Sequence, residues 1–119
     1  MAIEPKSRLY KVYGITTEER DLIKVYIQGA VYCWIKNRKN EPFSVRNLAG
    51  GENHEWEGTP LYALWKKQAN SGKKGKLAIK NAGKDLGFLT KTVLSDDKRT
   101  FIVEKAEMVN SYRWVGGEP

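Results

Sequence analysis

The segment TTEERDLIKVYIQGAVYCWIKNRKN, residues 16–40, constrains this chain most, because it reads as one long amphipathic helix. Thr16 and Glu19 match a capping box, in which hydroxyl and carboxylate satisfy orphan amides at a helix start. Glu18, Glu19 and Asp21 crowd the first turn, and Lys36, Arg38 and Lys39 the last, as the helix dipole favours. Leu22, Ile23, Tyr26, Ile27, Ala30, Val31, Trp34 and Ile35 recur at spacings of three and four, giving a broad apolar face. So wide a face predicts a central helix, or one that also meets another chain. Tyr26, Ala30 and Trp34 are the residues expected at such an interface. Pro42 ends the segment.

The other segments are shorter. RLYKVYG, residues 8–14, has the β-branched and aromatic content of a strand. FSVRNLAGG gives a short extended piece and a helical turn cut by Gly50 and Gly51, and ENHEWEG is a polar loop around Trp56. Thr59 and Pro60 suit the start of a helix running to about Asn70 and stopped at Gly72, with Leu61, Leu64 and Trp65 buried. In KKGKLAIKNAGKDLG a helical wheel gathers Ala78, Ile79, Ala82 and Leu86 on one side. Lys73, Lys76, Lys80 and Lys84 lie nearly opposite. Gly87 reads as the stop of this helix. FLTKTVL and TFIVEK alternate around the polar turn SDDKR, which predicts a hairpin with a charged tip. NSYRWVGG is a last strand able to pair with the N-terminal one. The fold class expected is α+β: a single helix-rich domain over residues 1–119 with a C-terminal hairpin.

Charge sharpens the picture. The net charge is +7, with 21 basic and 14 acidic residues. Residues 1–59 hold 9 basic and 8 acidic groups, and residues 60–119 hold 12 and 6. Seven lysines and no acid occur between Lys66 and Lys84. A positive field this local favours an anionic partner, or else is the solvated face of an ordinary amphipathic helix.

The element order resembles the winged helix-turn-helix superfamily over residues 16–105. The resemblance implies that the lysine-striped helix enters the major groove and that the hairpin forms the wing. It implies nucleic-acid contacts from Lys73, Lys76, Lys80 and Lys84, with Asn81 beside them and Lys98 and Arg99 at the hairpin tip. DNA is the expected partner ahead of RNA. Lysines grip phosphate as point charges and lack the fork of arginine that reads guanine, so backbone contacts should dominate. A homodimer or higher homo-oligomer through the first helix is the competing or additional expectation.

No catalytic set emerges, and the chain reads as a non-enzyme without cofactor or metal. His54 is the single histidine and Cys33 the single cysteine, so neither a zinc helix nor a disulfide can form within the chain. A Cys33–His54 dyad would need a reactive thiol, whereas Cys33 lies in an apolar stretch where a buried, inert thiol is expected. Asp85, Asp96, Asp97 and Lys98 superficially match an acid…acid-x-lysine nuclease pattern, but aspartates also suit a turn. Trp34 and Trp65 are core candidates. Trp56 and Trp114 are either core or exposed for stacking. No apolar run reaches membrane-spanning length and the N-terminus lacks signal-peptide features, so a cytoplasmic location is expected.

Overall fold

A computed structural model describes residues 3–4, 9–49, 55–97, 99–105 and 110–116. The chain is α+β. In order it forms β1 (Ile3–Glu4), α1 (Thr17–Asn37), β2 (Phe43–Ser44), α2 (Val45–Leu48), α3 (Tyr62–Asn70), α4 (Gly75–Asp96), β3 (Thr100–Lys105) and β4 (Asn110–Gly116). The four strands make one sheet in the order β1-β3-β4-β2. β3 and β4 form an antiparallel hairpin, β2 adds to β4 antiparallel, and β1 adds to β3 parallel.

α1 starts where its cap residues dictate. The Thr16 hydroxyl accepts from the Glu19 amide at 3.0 Å, and the Glu19 carboxylate accepts from the Thr16 amide at 2.8 Å. Ile23, Ile27, Val31 and Ile35, four residues apart, form its buried face. Their burial removes apolar surface from water at about 25 cal/mol per Å². Phe43 of β2 ties this helix to the sheet. Its ring centroid lies 6.2 Å from Trp34, 5.9 Å from Phe101 and 6.0 Å from Tyr112. Tyr112 is buried, and burial holds its phenol above the ordinary value.

Three expectations are corrected. First, α4 does not stop at Gly87 but continues to Asp96 as one 22-residue helix. FLTKTVL tolerates both periods, and the helical one wins because it buries Leu86, Leu89, Val93 and Leu94 together. Thr90 and Thr92 fit the helix by donating to the Leu86 and Phe88 carbonyls one turn back. Second, the hairpin therefore pairs TFIVEK with NSYRWVG, and SDDKR is the junction between α4 and β3. Third, the N-terminal strand is Ile3–Glu4, and it pairs with β3, not with the last strand. Arg8 lies outside the described residues. Leu9–Tyr13 form no strand; Val12 is buried, its carbonyl accepts from Arg20, and Tyr10 packs its ring 5.1 Å from Phe88.

Trp56 belongs to the core, at 8 % exposure, whereas Trp34, Trp65 and Trp114 are half-buried against it.

Candidate nucleic-acid interface

The basic region is built around the turn from α3 to α4. α3 ends in a Schellman motif: Lys73 N–H donates to the Gln68 carbonyl at 3.2 Å and Gly72 N–H to that of Ala69 at 3.1 Å. Gly72 has φ 91° and Gly75 has φ 53°, a left-handed region open to glycine at little cost. The two glycines bracket Lys73 and Lys74 and let α4 start three residues after the stop. Lys73 therefore precedes the helix. It is half-buried, and its ammonium donates to the Ser71 hydroxyl at 3.2 Å.

On α4 the expected segregation holds. Ala78, Ala82, Asp85 and Leu86 are buried and Ile79 half-buried, and Lys76, Lys80 and Lys84 are exposed on the other side. Four-residue spacing sets these lysines about 6 Å apart along the axis. Among the described residues none of the three is in an ion pair. Lys91, half-buried, continues the same stripe, and Asn81 is half-buried at its flank. Gly83 and Gly87 also fall on this side. A Cβ built on either meets nothing within 4 Å, so the helix backbone is open to close approach there.

Asp85 decides the electrostatics. It is the sole acid between Gly75 and Lys91, and it points inward. Its carboxylate accepts from Lys67 at 2.8 Å and from Gln68 at 2.7 Å, both on α3. The acid thus spends its charge joining two helices and does not offset the exposed lysines.

The expected tip residues behave differently. Lys98 lies outside the described residues. Arg99 is 9 % exposed and sits at the α4–β3 junction, so it is not a solvent-facing tip. Its guanidinium donates to both oxygens of Asp97, at 2.7 and 2.8 Å, and its amide donates to the same carboxylate at 2.9 Å. Gln28 of α1 adds a further bond to Asp97 at 2.8 Å, and Tyr32 lies under the guanidinium at 5.3 Å. Burial pushes the Asp97 carboxyl up. The bonds from Arg99 and Gln28 outweigh it and hold the carboxyl below the ordinary value. This makes Arg99 a structural clasp.

The remaining candidates separate. Ala30 lines a small apolar cleft with Val45 and Leu48, and Trp34 packs on Phe43 and donates to the Glu41 carbonyl at 3.1 Å. Both serve contacts within the chain, while Tyr26 is exposed at the rim of that cleft. Cys33 is exposed, contrary to the buried thiol expected, and His54 lies outside the described residues. Among the described residues no cluster of His, Cys, Asp or Glu could hold a metal, and Asp85 and Asp97 are each engaged elsewhere. Among the same residues no helix is long and apolar enough to cross a membrane. No family model, curated protein or solved structure matches the chain.

Proposed function

We propose that this chain is a small nucleic-acid-binding domain that grips duplex DNA with the solvent face of α4, on a winged-helix-like plan. The observation that carries the reading is the inward turn of Asp85, which leaves Lys76, Lys80 and Lys84 exposed on a stripe with no acid of its own. The element order adds support. α4 leads directly into a hairpin, so α4 would lie in the groove and β3–β4 would be the wing. Lys73 contributes from the turn, and Lys91 extends the stripe. Asn81 is the side chain on the flank suited to an adenine edge. Arg99 drops out of the contact set because Asp97 occupies it. The domain is a binding module acting without a cofactor, and a cytoplasmic location goes with this reading.

Lysine-to-phosphate contacts predict salt-sensitive, weakly sequence-selective binding. The experiment is fluorescence anisotropy on labelled duplex DNA, with duplex RNA in parallel, at rising salt. Three to four phosphate contacts predict a slope of about −3 in log K against log salt. The triple variant Lys76→Glu, Lys80→Glu, Lys84→Glu is expected to abolish binding. Absence of binding at low salt, or binding that the triple variant leaves unchanged, removes the proposal.

A further inference from the structure

The outer face of α1 is not the face that meets the core. Leu22 is 60 % exposed, Val25 71 % and Tyr32 45 %, while Ile23, Ile27, Val31 and Ile35 point inward. With Gly29 and Lys36, the exposed residues recur at alternating intervals of three and four. That is the repeat of two helices lying side by side. The Tyr32 ring lies near the Arg99 guanidinium and the Lys36 ammonium, at 5.3 and 5.7 Å from its centroid, and stays partly open to solvent.

Gly29 stands at the midpoint. A Cβ built there meets nothing within 4 Å, and its φ is not positive. Glycine in an exposed helix interior costs about 1 kcal/mol relative to alanine. Neither crowding nor backbone conformation within the chain requires it. Open space at a glycine would let a second helix backbone approach closely there.

Charge selects the occupant. Glu18 and Asp21 near its start and Lys36 and Lys39 near its end are exposed, while Glu19 caps the helix and Arg38 pairs with Glu41. Two parallel copies would set like charges together. Two antiparallel copies, crossing at Gly29, set the acids of each against the bases of the other. Counting outward from Gly29 places Leu22 opposite Lys36, and Val25 opposite Tyr32 and Cys33. The Lys36 stem then lies along Leu22 with its ammonium reaching toward Glu18. The pattern is self-complementary, as a two-fold interface requires.

We propose that α1 forms an antiparallel homodimer in which Leu22, Val25, Gly29 and Tyr32 of each copy make the seam. One helix face offers less than the roughly 800 Å² per partner of a standard stable interface, so a weak, concentration-dependent association is expected. The end-to-end charge pairing makes it weaken with salt. The seam lies on the side of α1 away from the core and leaves the lysines of α4 free. It does not rest on the nucleic-acid reading.

Sedimentation velocity of the full chain from ~1 to ~200 µM tests it, a span that brackets micromolar affinity. A concentration-dependent monomer–dimer equilibrium is expected. Val25→Glu is expected to weaken it at least tenfold while thermal melting by circular dichroism stays unchanged. Orientation is read by oxidative cross-linking in a Cys33→Ser background. Leu22→Cys mixed with Lys36→Cys is expected to give a covalent dimer of the two, and neither protein alone is expected to do so. A monomer throughout, a dimer indifferent to Val25→Glu, or self-cross-linking of Leu22→Cys overturns the proposal.

Discussion

Asp85 turns away from the lysines of its own helix and holds the Lys67 ammonium of α3 at 2.8 Å. The pair is mostly sheltered, with side-chain exposures of 12 % and 21 %. It does two jobs: it clamps the two helices across their turn, and it keeps the one acid between Gly75 and Lys91 out of solvent.

Removing that carboxylate therefore separates the two roles. Asp85→Ala leaves the Gln68 amide without its acceptor and Lys67 without its partner. A loss of about 2 kcal/mol in unfolding free energy is expected, read by urea denaturation. Asp85→Asn keeps an acceptor for Gln68 and should lose less. Neither change should weaken DNA binding by the folded fraction, because the exposed lysines stay where they are.

The Asp97–Arg99 clasp predicts an acid limb of stability. The folded-state carboxyl titrates below its ordinary 3.8. Its contribution is thus complete above that value and is lost as pH falls below it, through the lowered folded-state value. Urea midpoints measured from about pH 5 down to about pH 3 should fall less steeply for Asp97→Asn than for the parent chain. Arg99→Ala should cost about 2–3 kcal/mol by leaving a sheltered carboxylate short of its main partner. Affinity for DNA, scored per folded molecule, should be unchanged by it.

Gly87 distinguishes a continuous helix from a helix that stops. In mid-helix with open space around it, Gly87→Ala should raise stability by about 0.5–1 kcal/mol, seen as a higher melting temperature. At a left-handed stop the same change would lower it. Gly72, at φ 91°, is such a stop, and Gly72→Ala should cost about 1–2 kcal/mol.

Single lysine changes should act evenly. Lys76→Ala, Lys80→Ala and Lys84→Ala are each expected to reduce the magnitude of the salt slope by about 1, with little change in preference between DNA sequences. Anisotropy titrations on two unrelated duplexes would show it. An effect confined to one duplex would mean base reading in place of phosphate grip.

Much of this fold is legible in the sequence. The start of α1 follows from Thr16 and Glu19, the end of α3 from Gly72, and the segregation of Lys76, Lys80 and Lys84 from a helical wheel. β3 is readable as a strand from its alternation. The rest is hidden for physical reasons. FLTKTVL supports a period of two as well as a period of 3.6, and only the partners that bury Leu89, Val93 and Leu94 choose between them. Arg99 reads as a free tip because an Asp two residues earlier does not announce that it will turn back and take both guanidinium bonds. The apolar residues of α1 fall on two faces, and spacing alone does not reveal which face the rest of the chain covers. A helical wheel sets Asp85 beside Ala78 and away from the lysines, but nothing in the run KKGKLAIKNAGKD names Lys67 and Gln68 as the partners that take its charge.

The uninterrupted course of α4 has a geometric consequence. At 1.5 Å per residue its 22 residues span about 33 Å, more than the 28 and 26 Å short axes of the molecule. Lys76, Lys80 and Lys84 stand exposed along its first half, and Leu89, Val93 and Leu94 hold its second half in the core. The helix runs unbroken through Gly83 and Gly87, so it joins the exposed Lys76 and Lys80 to the Asp97–Arg99 clasp, where helix becomes strand.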